Sequence, residues 1–453
     1  MNNQAAPALT HGPLGRQILK FSLPLMLSNV LQVLFNMSDI AVVGRFAGSH
    51  ALGSVGSTAI LVSLFTGFLI GIGSGVNVIV ARYLGCQSDR DVSESVHTSA
   101  ILCLATGLVT MLIGLMGARG LLEMLGTKEE LIDGAELYLR IYCLGMPALA
   151  IYNFGNAVLS AAGDTRRPLI IMALAGVLNV ALNLLTVVGM NMGVAGVAIA
   201  SAVSQYMSAI LVIVLPVRSR ESYALKVRKL RIEPIKARLV LSLSLPAGAQ
   251  NAIFAIANLF IQAGVNTFPA VVVEGNSAAA NADALVYDVM AAFYTACSSF
   301  MSQNFGAGNR KRVLHSYYIS LAYSFGVGAL LGGALLLFGE QFLMLFTTDA
   351  AVAHAGMERL WVMGFSYPFS AFMDCTIAAS RGLGKSVVPT VIVIMGSCVF
   401  RVIWVYTVFA LFGTIMSLYL LYIFSWSITA AVEIVYFVRC YRAEMGHLAP
   451  AQA

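Results

Sequence analysis

The chain has 453 residues, of which 59% are hydrophobic and only 11% charged, with a formal net charge of +6. A soluble domain carries roughly 25% charged residues, so there is too little polar sequence here to clothe a water-facing surface, and an apolar exterior of this kind belongs in lipid. The excess positive charge does not point to nucleic acid, because the basic residues fall in short stretches between apolar runs.

Residues 1–16 form a polar tail. The opening MNNQAAPALTHGPLGRQ leads straight into a full-length apolar run, so no cleaved signal is expected. Twelve apolar segments follow, bounded by polar or Gly/Pro punctuation. They run roughly over 17–45, 51–84, 92–117, 131–161, 167–190, 193–217, 236–268, 277–304, 312–338, 352–381, 386–412 and 413–440. A helix needs about 20 residues to cross a bilayer, so each segment reads as a transmembrane helix. The fold class is therefore all-α and integral to the membrane.

Basic residues orient the spans. With the N-terminus in the cytoplasm, the inside segments hold Arg16, Lys20, Arg82, Arg90, Arg166, Arg167, the basic stretch RSRESYALKVRKLRIEPIKAR (218–238), Arg310, Lys311, Arg312, Arg381, Lys385, Arg439 and Arg442. The outside is left with Arg45, Arg119, Lys128 and Arg359, and Arg140 and Arg401 fall within spans. The positive-inside rule then places both termini in the cytoplasm, and the expected location is the plasma membrane, the inner membrane of a bacterial cell.

The chain also repeats itself at a shift of about 221 residues. FSLP (21–24) falls on LSLP (243–246), Asn29 on Asn251, Asn36 on Asn258, Gly85 on Gly306, Pro147 on Pro368, Gly163 on Gly384 and Pro168 on Pro389. Each half has six spans, so the halves share a topology and form parallel repeats related by an axis along the membrane normal. The expected divisions are a bundle over 17–217, a linker over 218–235, a second bundle over 236–440 and a tail over 441–453. The linker reads as a solvated cytoplasmic helix held near anionic lipid heads.

Seven cysteines are scattered through apolar segments with no CxxC pair. The six histidines show no HxxxH or HExxH spacing, so no metal is assigned. Acids inside spans are rarer and more telling, since a charge at helix centre costs about 2.5–3.5 kcal/mol on insertion scales. Asp39 sits alone in LFNMSDIAVVGRFAG (34–48), and either faces a cavity, where it titrates or binds a cation, or lies at the outer water interface near Arg45. Asp283 and Asp288 fall on the eighth span and can line a cavity in the second bundle or pair with Arg140 or Arg401; Asp374 on the tenth, expected close to the inner interface, is a further candidate for that cavity. Glu433 is expected to reach cytoplasmic water. Gly67, Gly71, Gly73 and Gly75 suit close helix packing.

Five stretches, FNMSDIAVVGR, AAGDTRRP, NVALN, SQNFGAGNRKR and RGLGKSVVP, resemble the multidrug and toxic compound extrusion family in order and spacing across about residues 15–440. The resemblance implies two six-helix bundles in a V-shaped arrangement. It also implies export of small amphipathic, often cationic, organic compounds in exchange for H⁺ or Na⁺. By that likeness Asp39, Asn179, Asn183 and Ser201 form the ion-coupling site. The family's second acid on span 5 is Asn183 here, which leaves one carboxylate fewer for Na⁺. The span 7 acid of one family branch has no counterpart, since 244–268 contain no Asp or Glu.

The expected partners are small organic substrates and the bilayer, not nucleic acid, with a monomeric protein and no cofactor. A lipid-linked oligosaccharide flippase of the same superfamily fold is the alternative, and would favour additional spans and a more basic cavity. An intramembrane enzyme would need paired carboxylates, HExxH or a GxSG-type nucleophile, and an ATP-driven pump a GxxxxGK[ST] loop. None of these is present.

Overall fold

Lipid offers the backbone no hydrogen bonds, so an apolar run must satisfy its own as a helix. That is what the computed structural model, which describes residues 9–447, contains. The helices are α1 (Leu14–Val42), α2 (Gly48–Gly85), α3 (Asp89–Met124), α4 (Glu129–Cys143), α5 (Met146–Ala161), α6 (Arg166–Asn183), α7 (Gly193–Arg218), α8 (Pro234–Val265), α9 (Ala270–Gly306), α10 (Arg310–Leu343), α11 (Ala350–Gly382), α12 (Val387–Val393), α13 (Phe400–Trp404), α14 (Ala410–Phe412) and α15 (Ile415–His447). Residues 1–8 and 448–453, parts of the two predicted tails, lie outside the described residues.

The helices follow the twelve predicted spans, with local differences. Among the described residues nine segments are long and apolar enough to cross a membrane, and the first, Leu14–Gly85, covers two predicted spans in 72 residues. The predicted spans 131–161 and 352–381 do not qualify. The first is broken at Leu144–Gly145 into α4 and α5, and α4 carries Glu129, Glu130, Asp133, Glu136 and Arg140. The second, α11, carries Glu358, Arg359, Asp374 and Arg381.

Wide π-helical turns interrupt several spans, at Val43–Ala47, Leu184–Gly189, Ile394–Val399 and Val405–Phe409. Such turns insert an extra residue and recur at functional sites.

The chain divides into two compact units. The first comprises Leu27–Ala252; the second comprises Leu9–Met26 together with the chain from Ile253 onward. The divisions fall inside α1 and α8 rather than at the predicted bundle edges.

Within the first unit, the start of α8 packs on α2. Ser244 Oγ donates to Ile72 O (2.9 Å) and Asn251 Nδ2 to Gly67 O (2.9 Å). A methyl group at Gly71 or Gly75 would overlap Gly248 or Ser244, so both positions need glycine. Within the second unit, Ile18, Phe21 and Leu25 of α1 pack on Phe293, Ala296 and Phe300 of α9, with Phe21 edge-on to Phe300 at 5.5 Å.

The linker corrects the expectation of a solvated helix. Only Val227–Lys229 forms a single 3₁₀ turn, and Tyr223, Ala224 and Leu225 are buried. The segment is strapped to α3 instead. The Lys226 backbone N–H donates to His97 Nε2 (3.0 Å), the Glu233 N–H to Thr98 Oγ1 (3.1 Å), and Lys236 Nζ to Asp91 Oδ1 (2.5 Å).

Candidate functional site

The first unit gathers the residues around Asp39 through small-residue packing. Gly176 of α6 leaves room for the Phe35 ring of α1; a methyl group there would overlap that ring. α1 therefore lies close along α6. Further along α6, Asn183 Nδ2 donates to Asp39 Oδ1 at 2.5 Å and to Asn179 Oδ1 at 3.2 Å. The asparagines face one way because residues four apart share a helix face.

α7 arrives through a tight turn in which Asn191 (φ 53°) and Gly193 (φ 55°) take the left-handed conformation. Met192 N–H donates to Thr186 O (2.9 Å) to close it. Ser201 Oγ of α7 then donates to Asp39 Oδ2 at 3.4 Å. The four residues Asp39, Asn179, Asn183 and Ser201 thus meet as one cluster.

Asn179, Asn183 and Ser201 are buried and Asp39 is partly exposed. No cation pairs with Asp39 among the described residues, and Arg45 is exposed. Asn183 Oδ1 is buried without a partner. Wide turns follow both Asp39 (43–47) and Asn183 (184–189), and the two turns touch.

Tyr138 and Tyr142 of α4, missed in the sequence, stack at 5.8 Å within electrostatic reach of Asp39. Their only sequence signal was a spacing of four.

In the second unit the acids have other surroundings than the expected ones. Asp283 pairs neither with Arg140 nor with Arg401. Its Oδ2 meets Arg359 at 2.6 Å (Nη2) and 2.7 Å (Nε), and Tyr367 OH donates to its Oδ1. Arg359 is not an outside-loop residue: it is buried in α11, with Nη1 donating to Asn276 Oδ1 (2.7 Å) and Nη2 to Tyr422 OH (3.4 Å). Arg140 pairs with Glu136 at 2.7 Å.

Asp374 is buried on α11, and its Oδ2 makes no hydrogen bond. Asp288 is half-buried on α9. Glu433 does not reach water: it is fully buried on α15. Its surroundings include the long-range charges of Arg381 and Asp374. No group of three or more His, Cys, Asp or Glu gathers in a metal-holding arrangement among the described residues.

Comparison with known proteins follows the duplicated plan. The MatE family model matches residues 24–185 and again 246–407. The probable multidrug resistance protein YpnP of Bacillus subtilis is 28% identical over 360 residues, covering 80% of each chain. The probable multidrug resistance protein NorM of Thermotoga maritima is 26% identical over 393 residues, covering 83% of this chain and 82% of its own. A solved outward-facing multidrug resistance MATE transporter of the MOP superfamily superposes with a TM-score of 0.90 at 21% identity, over 98% of this chain and 99% of that one.

Proposed function

The chain belongs to the MatE (multidrug and toxic compound extrusion) family of membrane transporters, and from that premise we propose that it exports small amphipathic or cationic organic compounds in exchange for H⁺ entering at Asp39. The observation that carries the reading is a carboxylate held by neutral amide and hydroxyl groups, with no cation paired to it among the described residues.

A charge so placed is costly unless something neutralises it. A proton or a small cation does so; its release restores the charge and with it the donors' attraction. Na⁺ is the weaker choice, because the site has one carboxylate and Asn183 stands where the family pattern has a second. Na⁺ prefers several oxygen ligands, whereas Asn183 presents an N–H to Asp39.

Asn183 also suits proton exchange in both states. To the carboxylate it donates through Nδ2. Turned by half a revolution together with the Asn179 amide, whose Nδ2 then donates to it, it offers the otherwise unpartnered Oδ1 to a protonated Asp39. The Ser201 hydroxyl reverses its role by rotating its O–H. The contacts to Asp39 can therefore be kept in either form by side-chain rotation.

The charge distribution supports both termini in the cytoplasm of the plasma membrane, and the reading needs only one chain. The test is efflux of a fluorescent organic cation from energised vesicles under an imposed ΔpH or an imposed Na⁺ gradient. Export driven by ΔpH is expected, with at least a tenfold loss in Asp39→Asn. Undiminished ΔpH-driven export in that variant removes Asp39 from the mechanism, and export driven by Na⁺ alone replaces the proton.

A further inference from the structure

A guanidinium buried in an apolar interior is stabilised by a carboxylate, by hydrogen bonds to all its N–H groups, or not at all. The second unit shows the first solution at Arg359, whose nitrogens meet Asp283, Asn276 and Tyr422. Arg401 of α13 has a different environment. It is 3% exposed and has no carboxylate within ion-pair distance among the described residues. Its one hydrogen bond runs from Nε to Ser425 Oγ at 3.3 Å.

Three rings surround its charge. Tyr422 lies 4.8 Å from the guanidinium carbon, Phe254 5.6 Å and Trp426 5.9 Å. Tyr422 also lies 5.3 Å from the guanidinium of Arg359, so one ring serves two cations, of which one has an acid. Ring faces offset part of the burial cost, but they cannot accept the four N–H bonds of the terminal nitrogens.

Those nitrogens are not sealed. Buried side-chain atoms lacking partners include Asp374 Oδ2 and both Glu433 oxygens, but neither terminal nitrogen of Arg401. Among the described residues no acceptor meets them, and the side chain keeps 3% of its surface exposed. The other charges in reach are Asp374, which attracts from beyond pairing distance, and Arg359, which repels.

We propose that Arg401 is an anion-recognition residue: its fork takes the carboxylate or phosphate of an amphipathic organic anion whose apolar body rests among Phe254, Tyr422 and Trp426. A planar fork with two parallel N–H groups matches both oxyanions. The fixed rings spare the ligand the ordering of flexible side chains. Such a site extends the cargo beyond cations. It needs no ion gradient for binding, so it stands or falls independently of proton exchange at Asp39.

The test is equilibrium binding to full-length protein in nanodiscs without a gradient, using 2-naphthoate, 2-naphthyl phosphate and 2-naphthylmethylammonium. The wild type is expected to bind one or both anions saturably, and the cation, which belongs to the proposed cation cargo, with an affinity that does not depend on Arg401. The ratio of the two anions tells carboxylate from phosphate cargo. Arg401→Gln is expected to lose at least tenfold in anion affinity, and Arg401→Lys less, since it keeps the charge but not the fork. Asp374→Asn should tighten anion binding by removing a competing negative charge.

Wild-type protein that binds neither anion, or equal anion binding by a folded Arg401→Gln variant, overturns the proposal. Should Arg401→Gln fail to fold, as judged by melting temperature and size-exclusion profile, Arg401→Lys and Asp374→Asn decide instead: anion affinity unchanged from wild type in both overturns the proposal.

Discussion

The two units use embedded charge differently. The first holds an acid, Asp39, served by neutral donors; the second holds, beside its buried acids, two guanidiniums, of which Arg359 has an acid and Arg401 has rings. The matched segments start at 24 and 246, so the repeats are shifted by 222 residues. At that shift Asp39 corresponds to Ile261 and Asn179 to Arg401. Yet the backbone agrees at one wide turn, which follows Asn183 in the first unit and Trp404 in the second, while those at 43–47 and 394–399 have no counterpart. Duplication preserved the helices, which lipid demands, and exchanged the polar residues, which lipid merely confines to the inside. Function therefore belongs to the side chains of each unit rather than to the shared fold.

The largest expected effect breaks the comparison on the second side. Asp283→Asn leaves Arg359 buried with its charge unmatched. Removing one partner of a buried pair costs about 3–5 kcal/mol, and Tyr367 loses a charged acceptor as well. A melting temperature in detergent several degrees below that of the wild type is expected, with a smaller loss in Arg359→Met/Asp283→Leu, where both charges are gone. An unchanged melting temperature in Asp283→Asn would mean that Arg359 has access to water. The corresponding Asp39→Asn change is expected to leave the melting temperature nearly unaltered while export fails. The opposite pairing of effects would reverse which unit's acid is structural.

The frame was legible in the sequence and much of the second unit's interior was not. Apolar runs and the recurring prolines and glycines mark helices because each residue acts through its own local preference. Asp39, Asn179, Asn183 and Ser201 were selected through a family likeness, since nothing in composition joins residues 162 positions apart. Arg359 was misplaced because a basic residue near a loop counts as outside until a partner is known. Its acid lies 76 residues earlier on another helix. Glu433 was assigned to water by its nearness to a helix end, a rule that ignores what packs around it. The wide turns leave no compositional trace. Nor does the division of α1 and α8 between units, because an apolar helix end reads the same whichever neighbours cover it.

A middle-sized effect sharpens the comparison on the first side. Asn183→Asp restores the second acid of the family pattern beside Asp39. Two carboxylates at 2.5 Å cannot both remain charged without a shared proton or cation. The variant should therefore bind Na⁺ at least tenfold more tightly than the wild type in an equilibrium binding measurement, and gain Na⁺-driven export. If Na⁺ affinity stays as it was, charge count at this position does not set ion choice, and the argument for H⁺ from Asn183 falls.

The smallest effects concern the straps, where the units again use opposite signs. At a shift of 221, Asp91 corresponds to Arg312. Arg312 clamps the first residues of the described chain: Nη1 donates to Gly12 O (2.8 Å), and Nη2 to Leu9 O and Gln17 Oε1 (3.2 Å each). Asp91 clamps the linker through Lys236 alone, with Tyr83 beneath the ammonium at 3.9 Å. Removing Arg312 deletes several charged donors at once, so Arg312→Met should speed amide exchange over residues 9–17 measurably. Asp91→Asn should change exchange over 223–236 little, and stability by no more than about 1 kcal/mol, because a pair with one partner more than a third exposed is screened by water and salt. The linker also retains its backbone hydrogen bonds to His97 and Thr98. Should Asp91→Asn release the linker as fully as Arg312→Met releases the other strap, the ion pair and not the backbone contacts would be what holds it.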